Sequence, residues 1–207
     1  MKLIVISPPE TLSGEIDFVN TLLKEGLTKF HLRKPNLPTA DLIQYLKKID
    51  SAYISNVVVH YDFEMLRHFP QVGFHFNQYS LNWLAYKGFT HKSYSAHSFR
   101  EILRLNTDAF DYIFISPVFE SISKPGYYAG FNLKQIRDFT ASGCCVNPIV
   151  ALGGVDENNI ASLQDLGLYG AAVLGAIWTP FQAGASASFL VDKFLRMKQV
   201  CQPDLMF

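Results

Sequence analysis

The stretch Ile149-Val-Ala-Leu-Gly-Gly154 is a short apolar run that breaks at two glycines, and Ala172-Val-Leu-Gly-Ala176 repeats the pattern further along the chain. A segment with helical periodicity follows each run. Glycine lets an anion approach backbone N–H groups, and the start of the following helix adds a favourable dipole. Two such loops after the last two strands of a parallel series are the usual phosphate site of a (β/α)8 barrel. We therefore expect a phosphate to lie on the backbone of Gly153, Gly154, Leu174, Gly175 and Ala176.

Apolar runs of strand length recur eight times along the chain, and segments with helical periodicity separate them. This alternation predicts an α/β protein, a single closed (β/α)8 TIM barrel, with an open doubly wound sheet as the competing fold. The glycine loops after the last two strands favour closure. No linker divides the chain, so residues 1–207 are expected to form one domain. The predicted strands are Leu3–Ile6, Lys29–Leu32, Val57–His60, Gly73–Phe76, Lys92–Ser95, Tyr112–Ile115, Pro148–Leu152 and Ala171–Leu174.

The composition excludes several classes of function. Lys and Arg together number 18, as do Asp and Glu, so no global field would attract nucleic acid or an anionic membrane. The three cysteines have no metal-binding spacing and do not resemble a disulfide framework, which favours a reducing compartment. The apolar run at the N-terminus is too short for a signal peptide. We expect a cytoplasmic protein with a small-molecule partner, and the sequence leaves a homo-oligomer open.

A second anion-binding loop is predicted after the sixth strand, in Asp111-Tyr-Ile-Phe-Ile-Ser-Pro-Val-Phe-Glu-Ser-Ile-Ser-Lys124. Tyr112–Ile115 is a β-branched and aromatic run, typical of a buried strand, and Pro117 ends it. Two hydroxyls and an ammonium follow, which suit a cluster of anionic oxygens. The predicted substrate-binding residues here are Ser121, Ser123 and Lys124.

Polar residues also follow the second and fifth strands, at the barrel end where chemistry gathers. Arg33 offers a rigid fork of donors for phosphate or carboxylate, with a surface ion pair as the alternative, and Lys34 beside it is also predicted to bind substrate. His97 is the candidate for proton transfer, since histidine is the usual acid–base side chain near neutral pH. A capping or packing role for His97 is the alternative. His31 and His75 fall inside strand runs, where a satisfied core histidine is the alternative to any chemical role.

With these pieces in order, the whole chain resembles the superfamily of thiamine-phosphate synthases and thiazole tautomerases. The resemblance implies a (β/α)8 barrel that binds a thiazole phosphate or thiamine phosphate. The phosphate would lie on the two glycine loops, and the Ser121–Lys124 loop would hold pyrophosphate or a substrate carboxylate. The matching segments run from strand two to strand eight: His31–Arg33, Gly73–Gln78, Ser95–Ser98, Asp111–Lys124, Ala151–Gly154, Asn158 or Asn159, and Ala172–Ala176.

The departures from the superfamily concern the metal. The resemblance implies that a synthase holds Mg2+ on aspartates after strands three and four, yet Tyr61 and Ser80 stand at the corresponding positions. Asp62 is displaced by one residue and is a weak metal candidate. In strand two, His31 replaces the usual glutamine, and Pro35 stands where a further lysine is usual.

Three functions follow as hypotheses. The first is a metal-independent thiazole tautomerase, an isomerase that needs no cofactor and moves a proton with His97. The second is a thiamine-phosphate synthase, a transferase that joins a pyrimidine diphosphate to a thiazole phosphate, releases pyrophosphate and uses Mg2+. The third is a non-catalytic binder of thiamine-pathway phosphates.

Overall fold

Eight parallel strands close into a barrel in chain order, and β8 pairs with β1. This computed structural model describes residues 1–85, 88–105, 109–120 and 130–202. The predicted closed (β/α)8 barrel is confirmed, and every predicted strand end lies within one residue of the observed one. The strands are β1 (Lys2–Ile6), β2 (Lys29–Leu32), β3 (Val57–His60), β4 (Gly73–Phe76), β5 (Lys92–Ala96), β6 (Tyr112–Ile115), β7 (Ile149–Leu152) and β8 (Gly170–Val173).

Helices alternate with the strands, although several are short. Segments of 3-10 helix at Ser51–Asn56, Leu81–Ala85 and Ile160–Leu166 accompany them. None of the helices in the described part of the chain combines the length and apolar character needed to cross a membrane. The α-helices are α1 (Glu15–Lys24), α2 (Thr39–Lys47), α3 (Met65–His68), α4 (Phe99–Arg104), α5 (Leu133–Ala141), α6 (Gly175–Gln182) and α7 (Ala187–Cys201).

The apolar side chains form two layers. The larger layer lies between the barrel and the surrounding helices and includes Phe30, Ile113 and Phe194. The smaller one fills part of the barrel interior, and its buried members come from β1, β6, β7 and β8. They are Ile4, Ile6, Tyr112, Phe114, Val150 and Ala172. Alternate residues of a strand point to opposite faces, so these four strands contribute to both layers.

The other side of the barrel interior is polar. His31 of β2, His60 of β3 and His75 of β4 are buried, as is Ser93 of β5. Their polar atoms bond to one another, to Ser95 and to Tyr112. Buried polar groups are costly unless they are hydrogen-bonded, so this network keeps the polar half of the interior stable.

Candidate active site

A cavity of about 710 Å3 lies at the carboxyl end of the barrel, where the strand-end residues converge. Its described lining includes side chains or backbone that follow each of the eight strands. The residues predicted to bind phosphate all line it: Gly153, Gly154, Leu174, Gly175 and Ala176. The structure therefore brings the two glycine loops together on one wall of the cavity.

The second of these loops leads directly into a helix. Leu174 precedes α6, and the first N–H groups of any helix lack an acceptor within the helix. The backbone N–H groups of Gly175 and Ala176 stand at that position, beside the cavity. This end of α6 can donate hydrogen bonds to an anion and also offers it the positive end of the helix dipole.

The first loop is a tight turn that packs against the segment after β6. Gly153 has a φ of 94° and Gly154 a φ of 66°, which glycine adopts without strain. A Cβ on Gly153 would lie 2.8 Å from the Cα of Pro117, and one on Gly154 would collide with the carbonyl oxygen of Glu120. These glycines are thus required by the packing of the turn, whether or not an anion binds there.

Asn159 holds the same turn from the other side. Its amide nitrogen donates to the carbonyl oxygen of Gly154 at 2.7 Å, and its amide oxygen accepts from the backbone N–H of Asp156 at 3.0 Å. Asn158 instead bonds with Asp156 at the exposed surface. Of the two asparagines in the resemblance, Asn159 is the one that holds the Gly153-Gly154 turn.

His97 lines the cavity between β5 and α4, as predicted. Its ring Nδ1 lies 3.3 Å from the carbonyl oxygen of Ser116, which can only accept a hydrogen bond. Nδ1 therefore carries the proton in the neutral ring, and Nε2 carries the lone pair. The backbone N–H of His97 donates to the Glu101 carboxylate at 2.8 Å, which fixes the turn before α4. The arrangement makes Nε2 available as a general base.

Arg33 also lines the cavity and is half-buried. Ser7 anchors its backbone, since the Arg33 N–H donates to the Ser7 hydroxyl at 2.8 Å. The guanidinium carbon lies 5.9 Å from the centre of the Tyr61 ring. No carboxylate pairs with this guanidinium within the described ranges, so Arg33 is available to an anion in the cavity. Tyr61 has a φ of 68°, an uncommon conformation for a residue other than glycine, at the same site.

Lys34 does not reach the cavity. Its ammonium is buried and lies 2.7 Å from a carboxylate oxygen of Glu15, and it donates to the carbonyl oxygens of Pro8 and Glu10. Tyr45 donates to the same carboxylate at 2.8 Å. The position of Lys34 thus supports a structural role and not the predicted substrate binding. The sequence alone could not show that Arg33 lines the cavity and Lys34 does not. The side chains of adjacent residues after a strand point in different directions, and the sequence does not show which one points inward.

The prediction of an anion-binding loop after β6 remains without a structural answer. Ser121, Ser123 and Lys124 lie outside the residues that the structure describes. The segment that leads to them does border the site, since Ser116 and Pro117 line the cavity and share a cis peptide bond.

No carboxylate lines the cavity among the described residues. The Asp62 side chain accepts from the backbone N–H of Glu64 at 3.0 Å, and the Ser80 hydroxyl closes a turn with Asn77. Mg2+ requires hard oxygen ligands, usually with at least one carboxylate. The described lining of this cavity therefore offers Mg2+ no carboxylate ligand.

Burial changes the chemistry of the histidines below the cavity. Removal from water holds the pKa of His31 and of His60 well below the ordinary range, and neighbouring positive groups lower them further. Burial, with the charge of Arg33 next in importance, lowers the pKa of His75 to about 3. All three rings are consequently neutral at physiological pH.

The sequence did not single out His60 and treated His31 and His75 as possible core residues. His60 and His75 line the cavity and pair in register on β3 and β4. The sequence feature that could have indicated this histidine cluster was a histidine at or near the end of each of three successive strands. Four-residue strands do not reveal which face points inward, so this signal could not be used without the barrel geometry.

Comparison with known proteins gives one consistent family. Residues 3–177 match the sequence profile described as thiamine monophosphate synthase. A thiamine-phosphate synthase of Chlamydia caviae is 26% identical over 207 residues, which cover 94% of this chain and 97% of that protein. A thiamine-phosphate synthase of Latilactobacillus sakei is 29% identical over 174 residues, covering 78% of this chain and 77% of that protein.

A solved structure agrees with these relatives. The thiamine phosphate pyrophosphorylase of Bacteroides thetaiotaomicron superposes with a TM-score of 0.84 at 28% sequence identity, and the match covers 99% of both chains. The similarity therefore includes the order and spacing of the whole barrel.

Proposed function

Since the chain belongs to the thiamine monophosphate synthase family, we propose that this enzyme of thiamine biosynthesis binds a thiazole phosphate or thiamine phosphate in the cavity. The phosphate would lie on the Gly153-Gly154 turn and the start of α6. Backbone N–H groups and a helix dipole there favour a multiply charged anion. Arg33 would orient the ligand as a second anion-binding group, and Ser121, Ser123 and Lys124 remain proposed partners of its other anionic end.

The names of the relatives favour the synthase reaction. Thiamine-phosphate synthase is the name of the curated relatives compared above. In that reaction a pyrimidine diphosphate joins a thiazole phosphate and releases pyrophosphate. A bound Mg2+ would supply charge stabilisation for that leaving group. The described cavity lining offers this ion no carboxylate, and the synthase is therefore the second candidate.

The cavity chemistry favours proton transfer, and we propose a thiazole tautomerase-type isomerase as the reaction of this chain. The observation that carries the proposal is the bond from His97 Nδ1 to the Ser116 carbonyl in a cavity whose described lining has no carboxylate. His97 Nε2 would take a proton from the thiazole ring system and return it at a second position. The double bonds shift to give the aromatic ring, and no atom is gained or lost.

In this proposal each group that lines the cavity has one role. The glycine loops bind the phosphate, Arg33 holds a second anionic group, and His97 moves the proton. Holding the substrate beside the base replaces a bimolecular encounter with a positioned transfer. The apolar walls at Phe114 and Leu152 limit access of water to the ring.

An assay of both reactions separates the candidates. Purified protein should convert the non-aromatic thiazole phosphate carboxylate tautomer at the same rate in EDTA and in added Mg2+. The same protein should form no thiamine phosphate from the pyrimidine diphosphate and the aromatic thiazole phosphate. Thiamine phosphate formation that EDTA abolishes and Mg2+ restores would establish the synthase instead. Tight binding of both ligands with neither reaction would establish a non-catalytic binder.

A further inference from the structure

Three buried histidines converge at the floor of the cavity. They come from the neighbouring strands β2, β3 and β4, and one ring nitrogen of each lies within 4.8 Å of one from each of the others. His60 and His75 also line the cavity, so the cluster can be reached from it. The proton-transfer reaction proposed for His97 makes no use of these rings.

We propose that His31, His60 and His75 form a binding site for a divalent transition metal of the Zn2+ class, with a fourth coordination position open to the cavity. Neutral imidazole is a ligand that suits Zn2+, Co2+ and Ni2+, whereas Mg2+ prefers oxygen. Three protein nitrogens with one open position are a known arrangement for zinc. The site is distinct from the aspartate-based Mg2+ site that the resemblance implies.

The hydrogen bonds around the cluster orient the rings for this task. Nδ1 of His31 lies 2.9 Å from Nε2 of His60. The other ring nitrogen of His31, Nε2, lies 2.5 Å from the Tyr112 hydroxyl. In His75, Nδ1 bonds to the Ser93 hydroxyl and Nε2 to the Ser95 hydroxyl, each at 2.8 Å. Metal-binding histidines normally use one nitrogen for the metal and the other for such a partner. Tyr112 and Ser93 provide that second partner.

The spacing between the nitrogens is close to what a metal needs. A tetrahedral zinc site with Zn–N distances of about 2.0–2.1 Å keeps its nitrogens about 3.4 Å apart. The His31–His60 pair already lies nearer than that, and on metal binding its shared hydrogen would move to the other nitrogen of the ring that carries it, so that both rings stay neutral. The His75 ring stacks on His60, with 4.1 Å between ring centres, and its ligand nitrogen lies within 4.8 Å of those of the other two rings.

The charges around the cluster are compatible with a cation when an anion is present. Burial keeps the three rings neutral, so their lone pairs are available. Arg33 is the positive group that acts on both His60 and His75. Inorganic phosphate in the cavity would offset its charge, and we expect phosphate to strengthen binding of the metal.

The test is a titration of the full chain, untagged and freed of metal by a chelator, with Zn2+ and with Co2+. We expect one metal ion per chain by elemental analysis and calorimetry, and a visible Co2+ spectrum with nitrogen ligands and no thiolate band. His31→Gln and His60→Gln should each weaken Zn2+ binding by more than about 100-fold. Tyr112→Phe removes only a second partner and should weaken it about 10–100-fold.

Matched variants exclude other sites. His68→Gln removes an exposed histidine of α3, and Cys144→Ser with Cys145→Ser removes the adjacent thiols; both should bind Zn2+ as the unaltered chain does. Far-UV circular dichroism verifies the fold, and Gln at position 31 keeps a donor and an acceptor for its neighbours. Absence of one-to-one binding in the unaltered chain, or its loss only in the cysteine variants, would overturn the site. These readouts do not depend on turnover, so the proposed isomerase can fail independently.

Discussion

At the scale of single residues, the proposed chemistry depends on which nitrogen of His97 carries the proton. The Ser116 carbonyl holds that proton on Nδ1 and leaves Nε2 as the base. A positioned general base typically contributes about 10²–10⁴-fold to a rate. This sets the size of the effect expected when the ring is removed.

His97→Gln should lower the turnover of the tautomer by about 10²–10⁴-fold. Its KM should change little, because the glycine loops and Arg33 supply most of the binding. Steady-state kinetics measure both constants, and His68→Gln is the control for loss of a histidine elsewhere. Near-normal turnover of His97→Gln would mean that the residue only completes the turn before α4.

Gly175→Ala is the sharper test of the phosphate site. A Cβ at position 175 would make only ordinary contact, 3.6 Å from the Thr179 hydroxyl oxygen, so the fold should tolerate it. The methyl group would stand where the anion approaches α6, and affinity for a thiazole phosphate should fall about tenfold, or about 1.4 kcal/mol. Calorimetry with the phosphate and with the unphosphorylated alcohol compares the two ligands. An equal effect on both would remove the phosphate from this loop.

Ligand affinity measured on a Gly153 variant would not test the phosphate site. Its positive φ and the contact with Pro117 mean that any side chain there disturbs the turn itself. Weaker binding in such a variant would follow from lost packing as readily as from a lost anion contact.

At the scale of elements, the Lys34–Glu15 ion pair connects the end of β2 to the start of α1. Both side chains are fully buried, so their charges depend on each other and on the bond from Tyr45. Burial lowers the pKa of Lys34, while the Glu15 carboxylate acts in the opposite direction. The pair is a structural connection and lies away from the cavity.

Lys34→Ala should lower the free energy of unfolding by about 3–5 kcal/mol, since it leaves the Glu15 carboxylate buried without its cation. Urea denaturation measures this change. Lys134→Ala breaks the exposed pair with Asp138 and should cost no more than about 0.5 kcal/mol. Folded Lys34→Ala protein should bind substrate normally; a selective loss of substrate affinity would restore the binding role predicted from the sequence.

The sequence was informative about elements wherever a local signal decides the structure. Ser98 and Asn132 precede α4 and α5 and cap them, because the oxygen of a Ser or Asn side chain accepts a hydrogen bond from the first free N–H groups of a helix. Ser186, and not the nearby Ser188, caps α7. Several serine and small residues precede that helix, and local pattern alone cannot choose between them.

At the scale of the whole molecule, the barrel was predictable and its interior was not. Eight apolar runs fix the strands, since β-branched and aromatic residues favour a buried sheet. Which side chains meet inside the barrel depends on closure and stagger, and these bring His31, His60 and His75 together from three successive strands. The polar half of the interior is the part of the molecule that required the structure.

From the buried histidines of this interior we expect the free energy of unfolding to fall in acid. Burial depresses the pKa of His75 from 6.5 to about 3 in the folded chain, and Arg33 and His91 act in the same direction. Below pH 6.5 the unfolded chain binds a proton there that the folded chain does not. The free energy of unfolding should therefore fall with decreasing pH, by about 1.4 kcal/mol per pH unit for this residue.

Urea denaturation between pH 7 and pH 4 tests the effect. The slope should become shallower in His75→Gln and stay unchanged in His68→Gln, which removes an exposed ring. An identical pH profile in His75→Gln would show that the His75 ring is not held neutral by the fold.

The most direct test of the central claim is the reaction of the unaltered chain in D2O that contains EDTA. The chain should convert the thiazole phosphate tautomer to the aromatic isomer at its full rate. NMR of the product should show one solvent deuterium at the carbon that receives the proton, because a histidine base exchanges its proton with water. Conversion that requires Mg2+, or that occurs only as condensation with a pyrimidine diphosphate, would contradict the proposed isomerase.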